Sequence, residues 1–355
     1  MYDLIIVGGG PAGATLARLI GKSYKVLLLE KRTFISKCCG GLIAPDAQLM
    51  LARFGLGIPK SVLLSPQLFA VRTIDIDNSL ERYYQRFYIN VDRGEFDKWL
   101  LSIIPAGVDI ICGSLFRSFS MNPDGMVDVK YHFNGKDYVE KCRVLVGADG
   151  AFSRVRKQGF GDHPAPQLYI SIQEWFETAQ NADYYGAIFD REITDFYSWT
   201  IPKEKYLILG SALKLGNDVY DKFELLKQKL HGFGFSFGDS VKAVKKEGAY
   251  LSRPTNTGQI CAGSGSVALV GEAAGLISPS SAEGISYAFK SSLALAKALD
   301  KGLEGYHKEY LSLLRFMKRN ILFKNIKSPA MYNKHLRKAI MKTGIQSVDF
   351  FGRSI

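Results

Sequence analysis

The stretch YDLIIVGGGPAGATLARLIG, residues 2–21, decides the fold. Leu4 to Val7 are four apolar residues in a row, which predicts a short strand buried on both faces. Gly8-Gly9-Gly10-Pro11-Ala12-Gly13 follows, then an Ala- and Leu-rich segment that predicts a helix to about Ile20. YKVLLLE, residues 24–30, reads as a second buried strand, parallel to the first and ending on Glu30. Strand, glycines, helix, strand and acid together form a dinucleotide-binding fingerprint in the context it needs. Gly8 permits the tight turn, Gly10 lets a pyrophosphate approach bare backbone, and Gly13 lets helix and strand pack closely. Pro11 and Ala12 open the helix, whose first amides and dipole favour an anion. Glu30, followed by Lys31, stands where a carboxylate reaches ribose hydroxyls.

The bulk properties bound the answer. A chain of 355 residues supports one large or two modest domains with a well-buried core. With 47% hydrophobic and 23% charged residues it is globular rather than disordered. No stretch approaches the roughly 20 apolar residues that span a bilayer. The first 30 residues already hold strand, helix and strand, so we expect no cleavable signal. Cys38, Cys39, Cys112, Cys142 and Cys261 are odd in number and lack the paired spacing of metal ligands, which predicts a reduced, cytoplasmic protein. From Lys301 onward 12 Lys and Arg face 3 Asp and Glu, a net +9 of the chain's +12. Such a tail suits a solvated helical surface, an anionic membrane surface on the inner face, or an acidic substrate. It contains no recognised nucleic-acid module, so nucleic acid is not expected as a partner.

Three later segments narrow the dinucleotide. VDRGEFDKWLLSII, residues 91–104, predicts a helix with Phe96, Leu100 and Leu101 on one face and Arg93 near its start. RVLVGADGAFSRVR, residues 143–156, predicts a buried strand ending in Gly147-Ala148-Asp149-Gly150 and then a helix start with Ser153 and Arg156. VALVGEAAGLISPSSAEGISYAFKSS, residues 267–292, predicts a strand, a Gly271-Glu272 corner, a loop, and a helix from about Glu283. The last two place an acid and glycines at the carboxyl end of a strand, where doubly wound sheets hold ligands.

In this order the motifs resemble the FAD-binding set of the para-hydroxybenzoate hydroxylase superfamily. Within it the chain is most similar to the geranylgeranyl reductase family, and more narrowly to bacterial CbrA-like flavoproteins. The resemblance runs from residue 1 to about 340 and rests on CGGLIAPDAQ, RGEFDKWL, LVGADGAFSRVR, FYSWTIPK and LVGEAAGLISPSSAEGISYA. It implies one FAD per chain, with NAD(P)H or another reductant as external electron donor. It implies an α/β fold in which a Rossmann-like FAD-binding domain carries an inserted antiparallel β-sheet and C-terminal helices. Gly8, Gly10, Gly13 and Glu30 match the adenosine and pyrophosphate site, and Arg93 the cofactor-binding arginine. Asp149 and Gly150 match the shared Gly-Asp corner. Glu272, beside Gly271, stands where most relatives have Asp. Gly284 and Ile285 begin the helix whose amides face the flavin pyrimidine.

The resemblance also gives KCCGGLIAPD, residues 37–46, a place along the isoalloxazine ring, where Gly40 and Gly41 admit the backbone without a side-chain clash. Cys39 matches the family's Cys-Gly-Gly element, either as a proton donor or as a small polarizable neighbour; Cys38 reads as a bystander. Tyr197 and Trp199 match a Tyr-x-Trp-x-x-Pro element facing the substrate, with Ile201 where the family has Phe; the bland alternative is a strand with two core aromatics.

QLYISIQEWF, YYGAIFD, DFYSWTIP and KYLILGSALKL are strand-like and aromatic, and Tyr169, Trp175, Tyr197 and Trp199 offer an apolar wall. The expected division is an FAD-binding domain of 1–60, 85–159 and 257–300, a substrate domain of 61–84 and 160–256, and a basic helical region of 301–355. In that region Tyr310, Leu313, Leu314, Met317 and Ile321 recur at helical spacing. No histidine clusters with a carboxylate, and no metal site, Gly-x-Ser-x-Gly elbow or P-loop is present in the sequence.

Three functions stand open on this reading. The first is reduction of C=C bonds in an isoprenoid or other lipid-like substrate by hydride transfer from flavin N5, with Cys39, Tyr197 or water as proton donor. The second is FAD-dependent monooxygenation of an aromatic or polycyclic small molecule. The third is a flavin-bearing factor that binds a polyprenyl lipid in envelope stress and colicin M tolerance.

Overall fold

A computed structural model describes residues 1–33, 38–178, 183–237 and 242–343. Lys37, at the head of the Cys-Gly-Gly stretch, and residues 344–355 of the basic region lie outside the described residues. Among the described residues there are eight α-helices: α1 (Pro11–Ile20), α2 (Pro45–Arg53), α3 (Arg93–Ser102), α4 (Arg154–Gly159), α5 (Val219–Leu230), α6 (Ile285–Leu299), α7 (Tyr306–Tyr332) and α8 (Lys334–Thr343). The chain divides into two compact units. Residues Met1–Leu63, Val91–Leu168 and Tyr250–Asn325 form the first; Leu64–Asn90, Tyr169–Ala249 and the chain from Ile326 on form the second.

Five parallel strands make the centre of the first unit, in the order Val267–Leu269, Lys136–Gly147, Tyr2–Val7, Val26–Glu30 and Asp109–Cys112. Ile5 stands opposite Leu27 on one side and Leu145 on the other, and all three are wholly buried. That two-faced burial is why these strands read as unbroken apolar runs. A meander of Leu115–Met121 and Val127–Phe133 joins the sheet through Lys136–Gly147. Helix α6 is tied to α1 by Ser292 Oγ, which donates to the Ala12 carbonyl at 2.7 Å. Tyr310, Leu314, Met317 and Ile321 of α7 enter this unit's core, and the Tyr310 hydroxyl donates to the Leu269 carbonyl at 2.8 Å. The expected apolar stripe thus packs on its own protein, and the segment 301–355, expected as one region, is shared between the two units. Among the described residues no helix is long and apolar enough to cross a membrane.

The second unit is built on a twisted sheet in the order Ala243–Arg253, Gln167–Glu177, Tyr206–Lys214, Ser198–Lys203, Tyr185–Phe189, Leu68–Asp75 and Leu80–Asn90. The ladders from Gln167–Glu177 through Tyr185–Phe189 are antiparallel, as is that between Leu68–Asp75 and Leu80–Asn90. Leu68–Asp75 and Tyr185–Phe189 instead run parallel, a departure from the expected antiparallel sheet. The reason is topological: more than a hundred residues of chain separate these strands, ample for the crossover that a parallel pair requires. Residues 85–90 belong to this sheet, beyond the expected boundary at 84. One sheet face packs Ile172, Phe176, Leu207, Leu209 and Leu213 against Phe223, Leu226 and Leu230 of α5. The ladder register puts Tyr169, Trp175, Tyr197 and Trp199 together on the other face.

Candidate dinucleotide site

Adjacent parallel strands bring the glycine corners of the first unit to one end of the sheet. A Cβ built on Gly8 (φ 107°) would lie 2.5 Å from the Ala148 carbonyl oxygen, so the first corner touches the Gly147–Gly150 corner. A Cβ on Gly271 (φ 58°) would meet that of Ala12 at 3.0 Å, which places the third corner against the start of α1. On Gly13 it would lie 1.9 Å from the Gly8 carbonyl oxygen, the close strand–helix approach that only glycine allows. Gly10 differs: its Cβ would meet nothing within 4 Å. Bare backbone there faces open space at the start of α1, where Pro11 occupies the first turn and no side chain caps the amides. Those amides and the dipole behind them suit a phosphate.

Glu30 completes this corner. One carboxylate oxygen accepts from the Gly9 amide at 2.6 Å and the other from the Arg32 amide at 3.0 Å. Each oxygen keeps a further lone-pair direction for a hydroxyl donor, so the acid is oriented without being used up. Lys31 is exposed beside it. The Gly10 cradle, the uncapped amides and the oriented acid fit the pyrophosphate and ribose of a dinucleotide.

The other acids do more structural work than the motifs suggest. Asp149 accepts from Ser153 Oγ at 2.5 Å and from the Arg154 and Val155 amides at 2.7 and 3.3 Å, so its carboxylate ties down the start of α4. Burial pushes its acid up, and these hydrogen bonds oppose that rise. Gly150 (φ 80°) turns the chain next to it into open space. Glu272 accepts from the amide and hydroxyl of Ser252 at 2.9 and 3.2 Å. The Gly271 amide donates to Ser291 Oγ at 2.9 Å. Arg156, buried, donates to the carbonyls of Ala273, Pro164 and Gln259 and so fixes the loop after Glu272; burial lowers its guanidinium from the ordinary value. Gly284 caps α6 and Ile285 begins it, again with no side chain on the first amides.

A second constellation stands beside the first. The Val91 amide donates to the Gly41 carbonyl at 2.9 Å, which fastens the Cys-Gly-Gly stretch to the residue two before α3. A Cβ on Gly9 would meet Leu101 of α3 at 3.3 Å, so this helix also borders the glycine turn. Arg93, buried, sends Nη1 to Cys39 Sγ at 3.1 Å, while Nε and Nη2 grip the two oxygens of Asp97 at 2.9 and 3.3 Å. Burial works against the guanidinium charge, but Asp97 and Cys39 outweigh it and hold the group above its ordinary value. Arg93, expected to touch cofactor, is engaged here with Cys39. Asp97 went unread in the sequence, although its i,i+4 spacing from Arg93 on a helix was a usable signal. For Ser252 no local signal existed.

Tyr197 and Trp199 belong to the second unit. Tyr197 packs edge-on to Phe196 with centroids 5.0 Å apart and lies 5.5 Å from the Trp199 ring. Burial and the neighbouring Tyr197 phenol raise Tyr185 well above the ordinary tyrosine range. The Trp199 indole lies over Gly210, where a Cβ would come within 2.3 Å of Nε1, and that buried Nε1 has no hydrogen-bond partner among the described residues. A cleft of about 410 Å³ lined by Lys301, Glu304, Lys308, Glu309 and Arg315 opens at the far end of α6, roughly 20 Å along the helix from Gly284.

Comparison with known proteins settles the family. Protein CbrA of Escherichia coli O9:H4 (strain HS) is 40% identical over 352 residues, covering 98% of this chain and 94% of the relative. The chain belongs to the CbrA family. CbrA of Escherichia coli K12 matches at the same identity, with 98% of each chain covered. A model described as an NAD(P)-binding Rossmann-like domain matches residues 6–52, the fingerprint of this CbrA-family chain. Among solved structures, the CbrA-family fold is shared by a geranylgeranyl bacteriochlorophyll reductase-like protein from Thermoplasma acidophilum (TM-score 0.82, 18% identity, 99% of this chain and 93% of that one). It is also shared by a probable FAD-dependent monooxygenase, PqsL, from Pseudomonas aeruginosa (TM-score 0.69, 17% identity, 96% and 99%). The CbrA-family architecture is therefore the α/β fold of flavin oxidoreductases, with a Rossmann-like core, a second sheet and C-terminal helices.

Proposed function

We propose that this chain is an FAD-dependent oxidoreductase that reduces carbon–carbon double bonds of an isoprenoid or other lipid-like substrate. The observation that carries the reading is the Cys39 thiol held 3.1 Å from an arginine that Asp97 clamps in place. Gly10 and the first amides of α1 would hold the cofactor pyrophosphate, Glu30 the ribose, and the Gly284–Ile285 amides the electron-rich edge of the ring. FAD held there and reduced by NAD(P)H or another external donor would supply the hydride for one alkene carbon. Cys39 supplies the proton for the other carbon, so that the double bond becomes two C–H bonds. Arg93 stabilises the thiolate left behind, and Asp97 keeps the guanidinium aimed at it.

The likeness to a probable monooxygenase supports a second reading, oxygenation of an aromatic or polycyclic molecule on the same scaffold. Anaerobic mixing of the reduced holoprotein with polyprenyl phosphates separates the two. Reoxidation of the flavin without oxygen, with formation of a saturated product, supports reduction. Reoxidation that needs oxygen with every prenyl substrate offered would sink it.

A further inference from the structure

We infer that Gln173 and Trp199 form a subsite on the second unit's sheet that binds an uncharged alcohol hydroxyl. Gly210 stands opposite Gln173 on one neighbouring strand and opposite Trp199 on the other. The three therefore make one row across the sheet, with both side chains on the same face. Ala187 lies opposite Trp199, and Ser171 opposite Ala212 in the next row of that face, so the pair is bordered by small residues. Gln173 and Trp199 are 1 and 7% exposed, yet Gln173 Oε1 and Trp199 Nε1 have no hydrogen-bond partner among the described residues, each other included. Trp175, two residues along the strand from Gln173, is the contrast. Its Nε1 donates to Glu247 at 2.9 Å, and Glu247 pairs with Lys245 at 2.8 Å. The sheet satisfies one indole and leaves the other.

Buried polar atoms without partners are rare and costly, so two in one row call for a partner from outside the fold. An indole N–H can only donate, and an amide oxygen can only accept. A group that answers both must accept from the first and donate to the second, as a hydroxyl does. A carboxylate or phosphate offers chiefly acceptors at neutral pH and would set its charge against the Gln173 oxygen. Few polar groups on an otherwise apolar wall are what fixes the orientation of a largely apolar ligand. The subsite narrows the lipid-like substrate proposed above to one with a free hydroxyl. Its role in turnover rests on that reading; its capacity to bind an alcohol does not.

The test is equilibrium dialysis of the full chain against three probes that share one prenyl skeleton: farnesol, farnesyl phosphate and the hydrocarbon farnesene. Farnesol should bind at least about tenfold tighter than farnesene, and tighter than the phosphate. Gln173→Met and Trp199→Phe should each bring farnesol to within about twofold of farnesene and leave farnesene itself little changed. Gln173→Met keeps the length of the side chain and removes an unpartnered acceptor, so its melting temperature should not fall. Circular dichroism establishes that each variant is folded; should Trp199→Phe not fold, Gln173→Met carries the test. Equal binding of farnesol and farnesene, as an ordered water on the two atoms would give, overturns the inference. So does tighter binding of the phosphate, or an alcohol preference that survives Gln173→Met. Farnesol bound with the expected preference but without reoxidising reduced flavin supports the subsite and counts against the reductase. Reoxidation by prenyl compounds with no preference for the alcohol does the opposite.

Discussion

Arg93 Nη1 lies 3.1 Å from Cys39 Sγ while Asp97 grips the opposite side of the same guanidinium. The contact joins two segments 54 residues apart in the chain and makes Cys39 a thiol with a fixed cationic neighbour. An opposite charge so close favours the thiolate, which is the nucleophilic form. Arg93→Gln should therefore slow alkylation of Cys39 by iodoacetamide at neutral pH severalfold. Cys39→Ala should cut turnover of a prenyl substrate by roughly a hundredfold or more while leaving the flavin bound. Mass spectrometry of the alkylated peptide and single-turnover absorbance read the two effects. Full turnover in Cys39→Ala would remove the thiol from the reaction.

Gly10 and Gly13 should respond in opposite ways to the same change. Gly10→Ala places its methyl in open space, so the cofactor-free protein should keep its melting temperature within a degree or two while its FAD affinity falls at least about tenfold. Gly13→Ala drives a methyl into the Gly8 carbonyl and should destabilise the fold by several kcal/mol, on the order of other severe packing clashes. Thermal melts and a flavin fluorescence titration distinguish the outcomes. Unchanged FAD affinity in Gly10→Ala would contradict the cradle.

Arg337 and Asp75 make a buried pair in the second unit, 2.7 Å apart, with Asp77 also on the guanidinium at 2.7 Å. Asp75 is wholly buried, so Arg337→Ala leaves an uncompensated carboxylate and should cost about 3–5 kcal/mol. Arg337→Met with Asp75→Asn should recover part of that loss. Urea unfolding checks both, and a single variant as stable as the parent would show the pair to be unimportant.

Alkaline pH should loosen the first unit. Burial pushes the Cys142 thiol up to about 12. Because its folded value lies above its unfolded value, the stability it contributes is full below the ordinary thiol value near 9 and declines as pH rises toward 12. Buried Tyr287, Tyr306 and Tyr310 are raised for the same first reason and act in the same direction. Denaturant midpoints should fall between pH 9 and 11, less so in Cys142→Ala. A midpoint flat across that range would refute the assignment.

Much of the architecture was readable because it rests on local rules. The run from Leu4 to Val7, the glycines and Glu30 obey spacings set by one turn of backbone, and α1 starts at Pro11 as those spacings require. The stripe Tyr310, Leu313, Leu314, Met317 and Ile321 was readable from helical period alone; Leu313 is half-buried against the core and the other four are buried in it. Glu272's partner Ser252 and the carbonyls around Arg156 come from distant segments, and no local pattern marks them. The parallel pairing of Leu68–Asp75 with Tyr185–Phe189 was missed for a like reason: strand direction follows from where the intervening chain travels, which aromatic alternation does not encode.

Taken alone, the order of residues determined that a glycine turn opening a helix lies between two buried strands, because strand, turn and helix geometry act over a few neighbouring positions. Tertiary structure decided which acids stay available and which are consumed as caps, and which cation faces which thiol. Those outcomes depend on through-space distances between far-apart segments, and a hydrogen bond or ion pair has a reach of only a few ångströms.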